Sequence, residues 1–313
     1  MAIPSEPVPR RTLLKAAAAL SGLSTLGVQA CAPAAAVPAL QPLTMADAPL
    51  ASGSKVTVER RGQIVLIGLN RPEIHNRLDP EAFTLLAEAY YQYDHDPSLR
   101  AAVLFGHGPN FSRGIDVNAF RARVTKGGGS LLDKPGTLDP LAKSKIRRTK
   151  PLVAVVHGDT WNMGHEIHLA ADIRIAAANT RYGQDENTHG RFPGGGSTVR
   201  FVREAGWGNA MRYILTGDHW SAEEALRIGV VQSVCPTPEA ALQVGIEMAT
   251  KIAACGPLGI RASLDSAHLA IDESEQKALS QLDAQYGALY KTQDFVEGRN
   301  AEAEGRPPVY LGR

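Results

Sequence analysis

The chain has 313 residues, 44% of them hydrophobic, and 33 basic side chains against 32 acidic ones, a formal net charge of +1. Balanced charge argues against a broad electrostatic grip on nucleic acid or an anionic surface, and the apolar share supports one ordinary globular core or a core plus an appendage. Three cysteines, Cys31, Cys235 and Cys255, are too few for a disulfide framework and too scattered for a metal site, so buried thiols are expected.

Taken in order, residues 1–54 read as leader and linker rather than fold. Pro9 to Lys15 is PRRTLLK, a twin-arginine pattern, and an Ala/Leu/Gly-rich run follows from Ala16 to Ala30. A basic start, a weakly apolar run and small-residue cleavage options describe an export signal, not a membrane span. Cleavage after Ala36 fits, and Val28-Gln29-Ala30-Cys31 offers the alternative of a lipid anchor at Cys31. The expected location is therefore periplasmic or exported; a true start downstream of the leader would leave the protein in the cytoplasm.

The body begins with two strands, Lys55–Arg60 and Gln63–Leu69, around the hairpin signal Arg61-Gly62. Phe83, Leu86, Ala87 and Tyr90 recur at helical spacing, which predicts a helix over Pro80–Tyr93 with Asp79 as its N-cap. A buried strand follows at Ala101–Phe105, then a loop to Gly114 and a helix from Asp116. Thr125–Pro140 is rich in Gly and Pro and reads as a flexible flap, and Leu141–Thr149 as a helix with a solvated basic face of Lys143, Lys145, Arg147 and Arg148.

Pro151–Gly196 is the richest stretch. An apolar strand, Pro151–Val156, leads into a turn containing Asp159, Thr160, Asn162 and Gly164. A short helix, Glu166–Ala171, and a second strand, Asp172–Ala177, come next, and a Gly/Pro-rich loop holds Glu186 and His189. A strand, a tight turn and a helix start present backbone N–H groups without intrahelical partners, here near Met163 and Gly164. Such groups suit a developing oxyanion. Two carboxylates, Glu166 and Glu186, fall in the same region, as acid/base chemistry beside a carbonyl requires. Strand and helix alternate, which argues an α/β fold. Beyond Pro257 the spacing turns wholly helical, over Gly259–Ala270 and Glu273–Tyr290. Expected boundaries are 1–54 for leader and linker, 55–256 for the core and 257–313 for a helical region.

Several separated stretches carry a resemblance: LNRPEIHNRLDPEAF from Leu69, AAVLFGHGPNFSRGIDV from Ala101, the region around Glu166, and LTGDHWSAEEALRIGVVQSV from Leu215. Over residues 55–310 the chain resembles the enoyl-CoA hydratase/isomerase (crotonase) superfamily. The resemblance implies a ββα spiral whose C-terminal helices pack against neighbouring subunits in a homotrimer or a dimer of trimers. It implies oxyanion N–H groups at Ile115 and Met163 and the two hydratase acids at Glu166 and Glu186. It places Gly164, His165, Arg77 and Arg113 at the substrate, and Trp161 reads as wall of the acyl pocket, with a core position as the alternative. Met163 stands where hydratases usually carry Gly, His165 alters the glycine run that admits the thioester, and Arg77 and Arg113 replace small residues near the CoA. His165 has two readings, a base or substrate contact and a packed loop histidine. His157, His189 and Asp185 read as structural, solvated or capping residues.

The reaction so implied is addition of water to an α,β-unsaturated acyl-CoA, with CoA part of the substrate and no separate cofactor or metal. The alternatives are double-bond isomerisation, exported carbon–carbon hydrolysis of a non-CoA β-diketone, and a scaffold without chemistry. One scaffold hosts many reactions. The leader bears on this choice, because CoA is a cytoplasmic carrier: the substrate is not a CoA ester, or the protein acts before export, or translation starts downstream.

Overall fold

The computed structural model describes residues 53–125 and 134–313. The leader and part of the expected flap lie outside the described residues. The first half of the body contains β1 (Val56–Arg61), β2 (Ile64–Leu69), α1 (Pro80–His95), β3 (Ala101–Gly106), α2 (Val117–Thr125), β4 (Leu152–Val156), β5 (Asp159–Trp161), α3 (Met163–Leu169), β6 (Ile173–Ala177) and β7 (Arg181–Gly183). The second half contains α4 (Ser197–Ala205), α5 (Trp207–Thr216), β8 (Trp220–Ser221), α6 (Ala222–Arg227), β9 (Ser233–Cys235), α7 (Pro238–Ala253), α8 (Pro257–Asp272), α9 (Glu275–Leu289) and α10 (Gln293–Glu304).

Six strands form one sheet in the order β1-β2-β3-β4-β6-β9, and β5-β7-β8 form a small second sheet. β1 and β2 pair antiparallel with Arg61 opposite Ile64, as their hairpin signal predicts, and the other strands of the large sheet run parallel. Every residue of β2, β3 and β4 is buried, because a parallel sheet is covered on both faces. Ile64, Leu66, Val103, Val153 and Val155 pack on one side with Leu242, Ile246 and Ala249 of α7. Val65, Ile67, Ala102, Leu104, Ala154 and Val156 enter the larger core on the other side, with Phe83, Leu86 and Tyr90 of α1 and Ile167 of α3. Each fully buried aliphatic of this kind stabilises by about 1.5–3 kcal/mol. Gly245 lets α7 lie close to the sheet, since a Cβ there would collide with the Val155 side chain.

Capping follows the local chemistry. The Asp79 carboxylate accepts the Ala82 N–H at 2.8 Å with Pro80 in the first turn, and Thr237 does the same for Ala240 at 3.2 Å ahead of Pro238. The fully helical C-terminal region is present as α8, α9 and α10.

Two local readings differ. Leu141–Thr149 forms no helix. The Asp139 carboxylate takes the N–H groups of Leu141, Lys143 and Ser144, Asp94 takes that of Thr149, and Arg148 pairs with Asp172 at 2.9 Å. Acidic side chains thus claim the donors a helix would have used. Asp159–Trp161, read as turn, is strand β5, because Asp159 pairs with Arg181 far along the chain. Among the described residues, no helix is long and apolar enough to cross a membrane.

Candidate active site

The site is assembled where β5 ends and α3 begins. Asn162, at φ 52°, turns the chain between them, and the first helical bond runs from the Glu166 N–H to the Asn162 carbonyl at 2.9 Å. α3 therefore starts at Met163, three residues earlier than the sequence suggests. Met163 is the first residue of that helix, so its N–H has no intrahelical acceptor. The Asn162 side chain makes no capping bond. It pairs reciprocally with Asp185 instead: its Nδ2 donates to the Asp185 carboxylate at 2.9 Å, and its Oδ1 accepts the Asp185 N–H at 3.0 Å.

A second open N–H comes from the loop after β3. Leu78 bridges this loop in parallel fashion, donating to the Gly114 carbonyl and accepting from the Asp116 N–H, both at 2.8 Å. A parallel ladder that uses residues on either side of Ile115 turns the N–H of Ile115 itself away from Leu78. Among the described residues, no protein acceptor takes the N–H of Ile115 or of Met163. The two loops abut: a Cβ on Gly114, which has φ 87°, would lie 3.2 Å from the Met163 nitrogen.

Both residues line a cavity of about 700 Å³, together with Arg77, Arg113, Trp161, Glu166 and Glu186. Glu166 and Glu186 are buried, at 3% and 9% exposure. Their surroundings differ. One Glu166 oxygen accepts the Gly195 N–H at 2.7 Å and the Ser197 N–H at 3.3 Å. Burial raises its pKa, while these bonds and Lys143 hold it back. Glu186 opens a short 3₁₀ turn, and both its oxygens accept from Gln184 Nε2 at 2.9 Å. Burial and the neighbouring Glu166 charge push its pKa up to about 7. The two carboxyls thus sit in different electrostatic settings, both raised by burial and Glu186 to about 7.

Not every residue expected at the substrate lines the cavity. Gly164 sits against the Ser112 loop, where a Cβ would come within 2.6 Å of the Ser112 carbonyl oxygen, and it serves close backbone approach. His165 is fully buried behind the carboxylates, its Nδ1 2.7 Å from Gln184 Oε1 and its ring edge-on to Tyr182, Phe201 and Trp220. Burial pushes its pKa down to about 4. Arg113 pairs with Asp159 at 2.6 Å and stacks over Trp161 at 4.5 Å, with Arg181 at 5.2 Å from the same ring. His157 is buried against the Gly108 carbonyl at 2.8 Å, whereas His189 is exposed.

Gln184, Gly195 and Ser197 escaped the reading from sequence. The signal for Gln184 was its place two residues before Glu186. That for Gly195 was the Gly194–Gly196 run: a Cβ on Gly195 would land on the Glu166 carboxylate, so only glycine fits.

Comparison with known proteins adds the following. The enoyl-CoA hydratase/isomerase family model matches residues 59–313. An enoyl-CoA hydratase of Mycobacterium tuberculosis is 36% identical over 266 residues, covering 84% of this chain and 98% of the relative. The (E)-benzylidenesuccinyl-CoA hydratase of Thauera aromatica is 33% identical, covering 82% and 99%. The crystal structure of an enoyl-CoA hydratase from Mycobacterium tuberculosis H37Rv superposes with a TM-score of 0.75 at 32% identity, covering 83% of this chain and 99% of that one.

Proposed function

We propose, for this chain that belongs to the enoyl-CoA hydratase/isomerase family, the function of an enoyl-CoA hydratase, adding water across the double bond of an α,β-unsaturated acyl-CoA. The observation that carries the reading is two buried carboxyls, Glu166 and Glu186, lining one cavity with the open N–H groups of Ile115 and Met163.

In this reading the thioester carbonyl oxygen accepts hydrogen bonds from Ile115 and Met163. Negative charge accumulates on it as the enolate forms, and fixed donors in a dry site stabilise that charge. Glu166, the better provided with donors, is ionised and takes a proton from water as the hydroxyl bonds to Cβ. Glu186 is protonated and gives its proton to Cα. The proton left on Glu166 returns to Glu186 through solvent, and the pair is reset. Arg77, Arg113, Lys143 and Arg191 supply cations at the cavity for the phosphates of CoA, and Trp161 forms its wall.

Crotonyl-CoA tests this directly. Loss of the conjugated-enoyl absorbance is expected with the wild-type chain and is expected to vanish in Glu166→Gln and in Glu186→Gln. Unchanged turnover in both variants would overturn the assignment.

The oligomer and the location belong to the same proposal. α8 buries none of its residues, and Ile271, Leu279 and Leu282 are exposed along α8 and α9, which supports packing against further copies in a trimer. A solution mass of one chain would refute it. The Arg10-Arg11 pair ahead of an apolar run supports twin-arginine export. A reporter fused after residue 54 is expected to be exported and to be retained once both arginines are lysine; export by the Lys variant would refute it.

A further inference from the structure

We propose that His165 is a positioning residue for Glu186, acting through the side-chain amide of Gln184. The Gln184 amide lies between two fixed groups and is fully buried. Its Nε2 donates to both oxygens of Glu186 at 2.9 Å, and its Oε1 lies 2.7 Å from His165 Nδ1. An amide turned the other way would set its oxygen against the carboxylate and lose both bonds. His165 selects the productive orientation if its Nδ1 carries the proton, because an N–H there can face only the amide oxygen.

The surroundings fix the ring that makes this selection. Tyr182, Phe201 and Trp220 stand edge-on to it, with centroids 5.1–5.6 Å away and interplanar angles of 71–89°. Among the described residues its Nε2 is buried without a protein partner, and Gln184 receives the ring's one protein hydrogen bond. The ring is also neutral. Burial is the main cause, and Arg174 of β6 also opposes a second proton; His168 of the same helix and Tyr182 are the other titratable groups facing the ring. Glu186 is faced by Glu166 from α3 and by Asp185 on its own turn, with Lys143 and Arg191 at the cavity edge. The directed donors to the carboxylate are its own backbone N–H and the Gln184 amide, the latter the side-chain donor.

The expected consequence is specific. In His165→Leu the Gln184 oxygen loses its donor, the amide is free to turn, and Glu186 loses one of the bonds that favour its ionised form. Its titration then moves upward. His165→Asn restores an N–H near the position of Nδ1 and returns the titration towards the wild-type value. The kinetic consequence rests on the hydratase reading: kcat falls about 10- to 100-fold in His165→Leu with KM within about twofold, since the loss is of acid alignment.

The test is nuclear magnetic resonance on the full chain carrying ¹⁵N-histidine and ¹³C-carboxyl-labelled glutamate, with Glu186 assigned by its loss in Glu186→Gln. The wild type is expected to show His165 protonated on Nδ1 and bare on Nε2, and Glu186 titrating at about 7. His165→Leu is expected to raise that midpoint by about 0.5 or more, and His165→Asn to reverse the rise. A wild-type His165 protonated on Nε2 overturns the proposal without any variant. So does a folded His165→Leu whose Glu186 titration is unmoved, or an Asn variant that behaves as Leu does. These readouts need no substrate. Failure to hydrate crotonyl-CoA, with the titrations as expected, would remove the hydratase reading and leave the relay standing.

Discussion

The two carboxyls of the cavity are held by different sets of donors. Glu166 sits on α3 and is gripped by backbone, the N–H groups of Gly195 and Ser197. Glu186 sits on a short 3₁₀ turn and is held by its own backbone N–H and by the side chain of Gln184, itself tied to His165. Backbone donors depend on the path of the chain, and almost any side chain can supply them if it fits. A side-chain donor depends on the identity of two residues. Burial raises the pKa of both acids; the donors at Glu166 oppose that rise, while Glu186 keeps a pKa pushed up to about 7. One fold thereby gives two chemically identical groups different surroundings.

The widest test removes each acid in turn. Glu166→Gln and Glu186→Gln are each expected to lower kcat by about 10²–10⁴-fold, the range of a general acid or base. Steady-state kinetics with crotonyl-CoA measures it, and a large loss in one alone would mean a single-acid reaction such as isomerisation. The next test breaks the backbone grip only. Gly195→Ala drives a methyl group into the Glu166 carboxylate and is expected to cost about 10²-fold in kcat. An active Gly195→Ala enzyme would show that the loop yields and the grip is not needed.

The third test uses pH to sharpen the contrast. The folded-state pKa of Glu186, about 7, exceeds its ordinary value of 4.5. The stability linked to its proton is therefore fully present below about 4.5 and is lost as pH rises through about 7. Glu186→Gln is expected to gain roughly 2–3 kcal/mol relative to wild type at pH 8 and nothing at pH 4, by denaturant unfolding. In the wild type, kcat is expected to fall above about pH 7, as Glu186 loses the proton it must donate. The smallest effect concerns the link between the two walls. Asn162→Ala removes both bonds to Asp185 and is expected to cost about 1–2 kcal/mol of stability. A loss near zero would mean that the strand pairing of β5 with β7 alone holds the walls together.

Local sequence information carried much of this protein. Alternation and apolar runs specify β1 to β4, because a buried strand needs every side chain apolar. Asp79 with Pro80 marks the start of α1, because capping is a matter of adjacent atoms. Glu166 and Glu186 were legible as acids beside a helix start. The resemblance that joins separated motifs set the expected fold, and the solved relatives share it.

Tertiary structure decided what depends on partners distant in the chain. Leu141–Thr149 is irregular because Asp94, Asp139 and Asp172 take its donors, and β5 exists because Arg181 to Gly183 lies beside it. His165 stands next to Glu166 in the sequence, yet its ring turns away from the cavity and reaches Gln184, 19 residues on. Successive residues of a helix point in different directions, so adjacency along α3 could not say which side chain meets the substrate. The acids could be named from the sequence; which groups hold each of them, and hence which keeps its proton, was a property of the folded chain alone.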